Sequence, residues 1–225
     1  MLHLMFVRHA DPDYKNDTIT ERGHAQARSL GEALATARID TMYCSPLGRA
    51  QATMRYVAER KGMTATTFEW LRELDGCYGK NEAGEGLWAW NQHGVAAFAD
   101  GAVSIENWKA RVPYGEKMTA VSAVQYKAFD DFLATRGIVR DGVRYRIGEP
   151  VDEHIAFFCH EGFIKTLLPH LLQIPLPVVY AQLTINPSSR TTLVLDEKDG
   201  YGVFHAKTIN DCSHYHDCEQ LNRGK

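Results

Sequence analysis

No stretch of this 225-residue sequence runs through roughly eighteen apolar residues without interruption, which excludes a bilayer-crossing helix. The apolar start, Met1 to Val7, lacks a basic leader and runs straight into Arg8 and His9, too short a segment for a signal peptide. Positive charge is not in excess either: the formal net charge is -3, so the chain has no global attraction to nucleic acid or to an anionic membrane. Any anion site must be local. Cysteine is sparse and odd in number, with Cys44, Cys77, Cys159, Cys212 and Cys218 scattered outside the short paired spacings of a zinc site. That usage points to a reducing compartment, the cytoplasm. Internal repeats and low-complexity tracts are missing as well.

What is present is an ordinary globular composition, 44% apolar and 24% charged, enough for one domain with a sizeable insertion. Leu2 to Val7 is a near-continuous apolar run, suited to a strand buried on both faces of a parallel sheet. Glu21 to Ala37 carries Ala27, Leu30, Leu34 and Ala37 at helical spacing, with Thr20 as N-cap and Thr18 with Glu21 as a capping box. Ile39 to Cys44 is a second strand, and Ser45-Pro46 supplies an N-cap and first-turn proline for a helix over Leu47 to Arg60. The β-branched and aromatic run Thr66 to Leu71 is a third strand.

Residues 76–115 break this rhythm, with seven glycines and three of the four tryptophans in no clear period, and form an inserted cap. A helix over Glu116 to Leu133 follows, with Val121, Val124, Ala128 and Phe132 as its stripe. Arg136 to Asp152 is a loop with room for a hairpin. A buried strand, His154 to Cys159, a helix from Gly162 to Leu172 and strands at Thr191 to Asp196 and Gly202 to Thr208 complete the pattern. The expectation is one domain over residues 1–225, a three-layer α/β/α sandwich with a mostly parallel sheet.

Ligands of such sheets gather outside the carboxyl ends of the strands. Those ends carry Arg8-His9, Ser45-Pro46 leading to Arg49, Arg72-Glu73 and His160-Glu161. Arginine forks suit the oxygens of a tetrahedral anion and a neutral imidazole is a competent nucleophile, so the constellation points to phosphoryl transfer. For the acid, Glu73 is favoured by its position at a strand end, with Glu69 and Asp75 as alternatives.

These residues also carry a family resemblance. Phe6-Val7-Arg8-His9-Ala10 resembles the signature of the histidine phosphatase superfamily, also called the phosphoglycerate mutase-like family. Thr18 to Gly23 with Gln26-Ala27 resembles its first helix start, and Ser45 to Thr53 its serine-proline-arginine-alanine-threonine segment. Leu71 to Gly76 resembles the block that carries the proton donor, and Phe158 to Gly162 the block with the second histidine. The resemblance implies His9 as nucleophile, Arg8, Arg49 and His160 as the phosphate pocket, and Glu73 as acid, with neither metal nor cofactor. Ala10 departs from the family's usual glycine, and Glu161 stands where a small residue often follows the histidine. Asn16 lies where the family has a polar residue touching phosphate, with Asp11, Asp13 and Tyr14 as alternatives.

The implied function is a phosphatase that hydrolyses a small-molecule phosphate ester through a phosphohistidine. A phosphoglycerate mutase-type isomerase and a non-catalytic phospho-ligand module are the alternatives, and a homo-oligomer is compatible with the sequence. In the cap, Trp88, Trp90 and Trp108 either grip the organic part of the ester or pack a small core, and Lys80, Glu82, Glu85, Lys109 and Arg111 supply charge. The stretch Cys212-Ser-His214-Tyr-His216-Asp-Cys218 holds metal-ligating types, yet a loose or docked tail is the expectation.

Overall fold

Strands buried on both faces form the centre of the computed structural model, which describes residues 1–215. Strand β1 (His3–Arg8) sends Leu4 and Phe6 into one hydrophobic cluster and Met5 and Val7 into another, the alternation of an extended chain. A small hairpin, β2 (Pro12–Asp13) and β3 (Thr18–Ile19), leads to α1 (Glu21–Leu34). Thr20 caps this helix by accepting from Gly23 N–H at 3.1 Å, so the expected Thr18–Glu21 box is replaced by a single-residue cap. After β4 (Thr41–Cys44), α2 spans Gly48–Lys61. Leu47, rather than Ser45, takes its N-cap position; the Ser45 hydroxyl, two residues earlier in the chain, meets Leu47 N–H and His160.

The expected strand over 66–71 is cut short. β5 is only Thr66–Thr67, and Glu69–Leu71 coil into a 3₁₀ turn. An extended chain would send Leu71 to the face opposite Phe68 and Trp70, whereas the turn sets all three on the same core. A hairpin follows, β6 (Cys77–Lys80) and β7 (Gly86–Trp88), then short helices α3 (Gly94–Ala97) and α4 (Trp108–Arg111). Helix α5 (Gly115–Ala134) precedes the hairpin β8 (Ile138–Asp141) and β9 (Arg144–Ile147), which fills the expected loop. The chain ends its described course with β10 (His154–Cys159), α6 (Glu161–Leu172), α7 (Leu176–Gln182), β11 (Arg190–Lys198) and β12 (Tyr201–Asp211).

Eight strands make the main sheet in the order β5-β4-β10-β1-β11-β12-β9-β8. The pairings from β5 to β1 are parallel and the rest antiparallel, so six strands point one way and only β11 and β9 run against them. Helices α1 and α2 cover one face through Leu30, Leu34, Met54 and Val57. α5 and α6 cover the other through Phe129, Phe132, Phe163 and Leu167, which completes the three layers.

The buried face of α5 follows the expected stripe only in part: Phe132 is in the core and Val121 packs at the edge of a second cluster. Val124 is 74% exposed, while Met118, Ser122, Gln125, Phe129 and Leu133 turn inward. The inner face contains a polar residue with a partner: Gln125 Nε2 donates to the Phe163 carbonyl at 2.7 Å.

Candidate active site

Register places the chemistry at one edge of the sheet. Arg8 pairs with Cys159, Phe158 with Cys44, and Cys44 with Thr67, so the chain leaves β1, β10 and β4 side by side. His9, His160 and Ser45 are the next residues, each buried. His9 Nδ1 lies 2.8 Å from the Ala10 carbonyl oxygen. A carbonyl only accepts, so Nδ1 carries the proton and Nε2 keeps a lone pair. Burial, followed by the charge of Arg8, holds the His9 pKa well below its ordinary value, outweighing the Ala10 bond, and the ring is neutral.

The segments that resemble family motifs shape the turn around His9. Ala10 N–H donates to Thr53 Oγ1 at 2.9 Å and Asp11 N–H to Gln26 Oε1 at 2.8 Å.

His160 stands beside His9, with ring centroids 5.2 Å apart. Its Nε2 is 2.7 Å from Ser45 Oγ, which accepts from Leu47 N–H at 3.2 Å. The Ser45 hydroxyl can donate to Nε2 while accepting from Leu47 N–H, and in that tautomer the neutral ring carries its proton on Nδ1. Burial first, then the neighbouring His9 ring and the charges of Arg49 and Arg8, keeps the His160 pKa well below the ordinary value. Nδ1 is buried without a hydrogen-bond partner, as are Arg8 Nε and Arg49 Nε. Unsatisfied buried donors of this kind fit an incoming anion.

Each guanidinium is aimed by a carboxylate. Arg8 reaches Glu161 Oε2 at 2.7 Å and the Ile185 carbonyl at 2.6 Å. Arg49 reaches Asp17 Oδ1 at 2.7 Å, while Asp17 Oδ2 accepts from Gly48 N–H in the first turn of α2. Tyr14 lies under Arg49, with the guanidinium carbon 5.4 Å from the ring centre.

Of the three carboxylates weighed as acid, only Glu73 lines the cleft. Glu69 is exposed and paired with Arg72, itself a surface charge, and Asp75 is exposed and paired with Lys117. The Glu73 turn points its carboxylate at the start of α6, where Gly162 N–H and Phe163 N–H donate at 3.1 and 2.9 Å and Leu74 N–H at 3.0 Å. Burial still prevails over these bonds and raises its pKa, so the group holds its proton above the ordinary carboxyl range.

The cleft, about 440 Å³, is lined by Arg8, Tyr14, Arg49, Glu73, Trp88, Trp90, Asn91 and Glu161. Asn16 is not among them: it is exposed and its amide donates to Asp13 at 2.7 Å, whereas Tyr14, one of its alternatives, lines the cleft. The three tryptophans divide. Trp88 is 40% exposed and walls the cleft, and Trp108 is buried with Val112, Tyr114 and Tyr180 in a separate cluster. Trp90 belongs to both. It packs so closely that a Cβ on Gly162 would stand 2.6 Å from its ring, which leaves room there only for glycine. Lys80, Glu82, Glu85, Lys109 and Arg111 do not line the cleft, and Arg111 is turned to the Ala102 carbonyl.

Sequence reading missed Ser45 as the partner of His160, Asp17 as the partner of Arg49, and Lys165, whose Nζ lies 3.1 Å from Glu161. A hydroxyl directly after a strand was a signal for Ser45; nothing marked Asp17. The tail docks up to Tyr215. His214 Nε2 meets Ser188 Oγ at 3.0 Å and Tyr215 donates to the Pro187 carbonyl at 2.6 Å. No group of three metal-ligating side chains occurs among the described residues, and His216 and Cys218 lie outside them.

Residues 4–208 match the family model of the histidine phosphatase superfamily, branch 1. The chain belongs to that superfamily. Phosphoserine phosphatase 1 of Hydrogenobacter thermophilus is 30% identical over 84 residues, 33% of this chain and 40% of that protein. A probable phosphoglycerate mutase, GpmB, of Yersinia pestis is 27% identical over 142 residues, 59% of this chain and 64% of its own length. The chain thus spans less than two thirds of either curated relative. Among solved structures, a phosphoserine phosphatase mutant from Entamoeba histolytica superposes with a TM-score of 0.65 at 16% identity, covering 95% of this chain and 99% of that one. The structural likeness covers more of the chain than the pairwise match to either curated relative, in keeping with the extent of the family model. No helix among the described residues is long and apolar enough to cross a membrane.

Proposed function

We propose that this histidine phosphatase superfamily member hydrolyses small-molecule phosphomonoesters through a phosphohistidine on His9. The carrying observation is a buried imidazole whose proton is fixed on Nδ1, beside two guanidiniums and a second imidazole with a partnerless nitrogen. Nε2 attacks phosphorus, and the bond from phosphorus to the ester oxygen breaks. Arg8, Arg49 and the His160 Nδ1–H bind the phosphoryl oxygens and offset the charge that develops on them. Neutral His160 suffices for this, in place of the protonated ring that a cationic pocket would call for.

Glu73 gives its proton to the departing oxygen. The resulting carboxylate is then held by the backbone donors at the start of α6, and it takes a proton from the water that attacks phosphohistidine. Residues 76–115 form the cap, with Trp88 and Trp90 against the organic part. The thiols of Cys44, Cys77 and Cys159 support a cytoplasmic setting.

The test is His9→Ala, which should abolish phosphate release while the protein stays folded. Brief incubation of the native enzyme with labelled ester should trap a phosphoryl group lost in acid and retained in base. Near-native turnover by the folded variant would end the covalent reading. The mutase alternative, raised by the Yersinia relative, predicts instead bisphosphoglycerate-dependent isomerisation that outpaces phosphate release.

A further inference from the structure

Arg8 and Arg49 are the only cations lining the cleft among the described residues, and each already faces a carboxylate at 2.7 Å, Glu161 and Asp17 respectively. The remaining wall is aromatic, amide or acidic. Glu161 is held from behind: Lys165 is buried, 3.1 Å from Glu161 Oε1, and its ammonium also donates to the carbonyls of Trp90 at 3.3 Å and Tyr180 at 3.5 Å. A phosphoryl group seated on Arg8 competes with Glu161 for that guanidinium, while Lys165 keeps the Glu161 charge in the wall. Once both arginines bind phosphoryl oxygens, no lining cation among the described residues is left for a second anionic group on the organic part.

We propose that Glu161 determines specificity, admitting phosphomonoesters whose organic part is neutral or cationic and rejecting those that carry a carboxylate or a second phosphate. The proposal rests on the hydrolytic reading of the same site. Removing the Glu161 charge from about 7 Å of a like charge, at the effective dielectric of a partly buried site, corresponds to a change of about 10- to 100-fold, part of which Lys165 offsets in the native protein. Trp88 and Trp90 offer flat apolar surface to the accepted group, and a cation placed over either ring is favoured further.

Three primary alkyl esters with comparable leaving groups provide the test: glycerol 3-phosphate, phosphoethanolamine and 3-phosphoglycerate. The native enzyme should show kcat/KM for 3-phosphoglycerate about threefold or more below glycerol 3-phosphate, with phosphoethanolamine at or above it. Glu161→Gln should raise the ratio of 3-phosphoglycerate to glycerol 3-phosphate by about 10- to 100-fold and lower that of phosphoethanolamine. A native preference for 3-phosphoglycerate, or a ratio that the substitution moves by less than about twofold, overturns the proposal.

Because this substitution strips a buried lysine of a partner, a second arm leaves Glu161 intact. Calorimetric binding of the three esters to the His9→Ala protein should give the same charge order without turnover. Equal affinities, tighter 3-phosphoglycerate, or no binding of any ester overturns the proposal. The expected binding order with no hydrolysis by the native enzyme supports it and sinks the hydrolytic reading alone.

Discussion

Replacing Glu73 by glutamine keeps the size of the side chain, removes its proton and sets one amide group against backbone donors. Glu73 Oε1 accepts from Leu74 and Phe163 N–H and Oε2 from Gly162 N–H, at 2.9–3.1 Å. A glutamine can keep its oxygen on the first pair, leaving Gly162 N–H facing an NH₂ group. One lost buried acceptor costs about 1–3 kcal/mol, or roughly 3–8 °C in Tm for a chain of this size. Chemistry should suffer far more, and unequally. An alkyl ester, with its strongly basic alkoxide, should lose about 10²- to 10⁴-fold in the phosphorylation step, the usual contribution of a general acid. An activated aryl ester should stay within about tenfold, since its phenolate leaves with little help. Rapid-quench single-turnover phosphorylation separates this step from hydrolysis of the intermediate, in which Glu73 also acts. Working as an acid, Glu73 must be protonated, so the native rate on the alkyl ester should fall as pH rises through its raised pKa, a limb the variant lacks. Equal losses on the two esters, or an unchanged pH limb, would remove Glu73 from the acid role.

Trp88→Ala should change relative rates across an ester panel with little change in Tm, whereas Trp108→Ala should lower Tm by the equivalent of about 3–5 kcal/mol and leave the relative rates alone. The reverse pattern would misplace the cleft wall. Acid should destabilise the fold through its histidines: His3, His154 and His214 have lowered folded pKa values, His214 down to about 4, and His9 and His160 lie well below the ordinary value. The unfolded chain then takes up protons first, so this stability is complete above about pH 6.5 and is lost as pH falls toward the folded values. A Tm roughly 5 °C or more lower at pH 5 than at pH 7 is expected by calorimetry, and a flat profile would refute it. Since two guanidiniums supply the charge at the site and neutral His160 adds a hydrogen bond, exhaustive chelation should leave phosphate release within about twofold. Loss restored by one divalent ion would contradict this.

Local signals in the sequence were reliable where local chemistry decides. Thr20 caps α1 because a threonine oxygen there meets Gly23 N–H, and β1 and β10 read as buried strands because both of their faces are apolar. Arg8, His9 and His160 stood out since strand ends of a parallel sheet share one edge, and Arg49 since it opens the helix after β4; Glu73, read as a strand end, instead follows a 3₁₀ turn. What failed depended on partners far along the chain. Gln125 is polar yet faces inward, for its acceptor is the Phe163 carbonyl, and Val124 looks apolar yet faces water. Ser45 resembles an N-cap, yet its hydroxyl meets His160, over a hundred residues away. Asn16 and Asp17 are neighbours with similar side chains, and only the path of the β2–β3 hairpin decides that Asp17 reaches Arg49. Tryptophan content likewise could not say which ring faced the cleft.

The position of β1 between β10 and β11 has a consequence for how the molecule is made. His3 pairs with His154 on one side and Val194 on the other, and the Arg8 and His9 carbonyls both accept from Ser188 N–H. During synthesis β1 precedes both of its sheet neighbours, and it has none until β10, about 150 residues later, has been translated. The intervening segment must close a loop of about 150 residues around an unpaired apolar strand. Such pairings slow folding and leave that strand open to aggregation in the meantime. Ribosome-bound chains halted before β10 should therefore lack an ordered phosphate site, and their first eight residues should be a preferred target for chaperones that bind extended apolar segments.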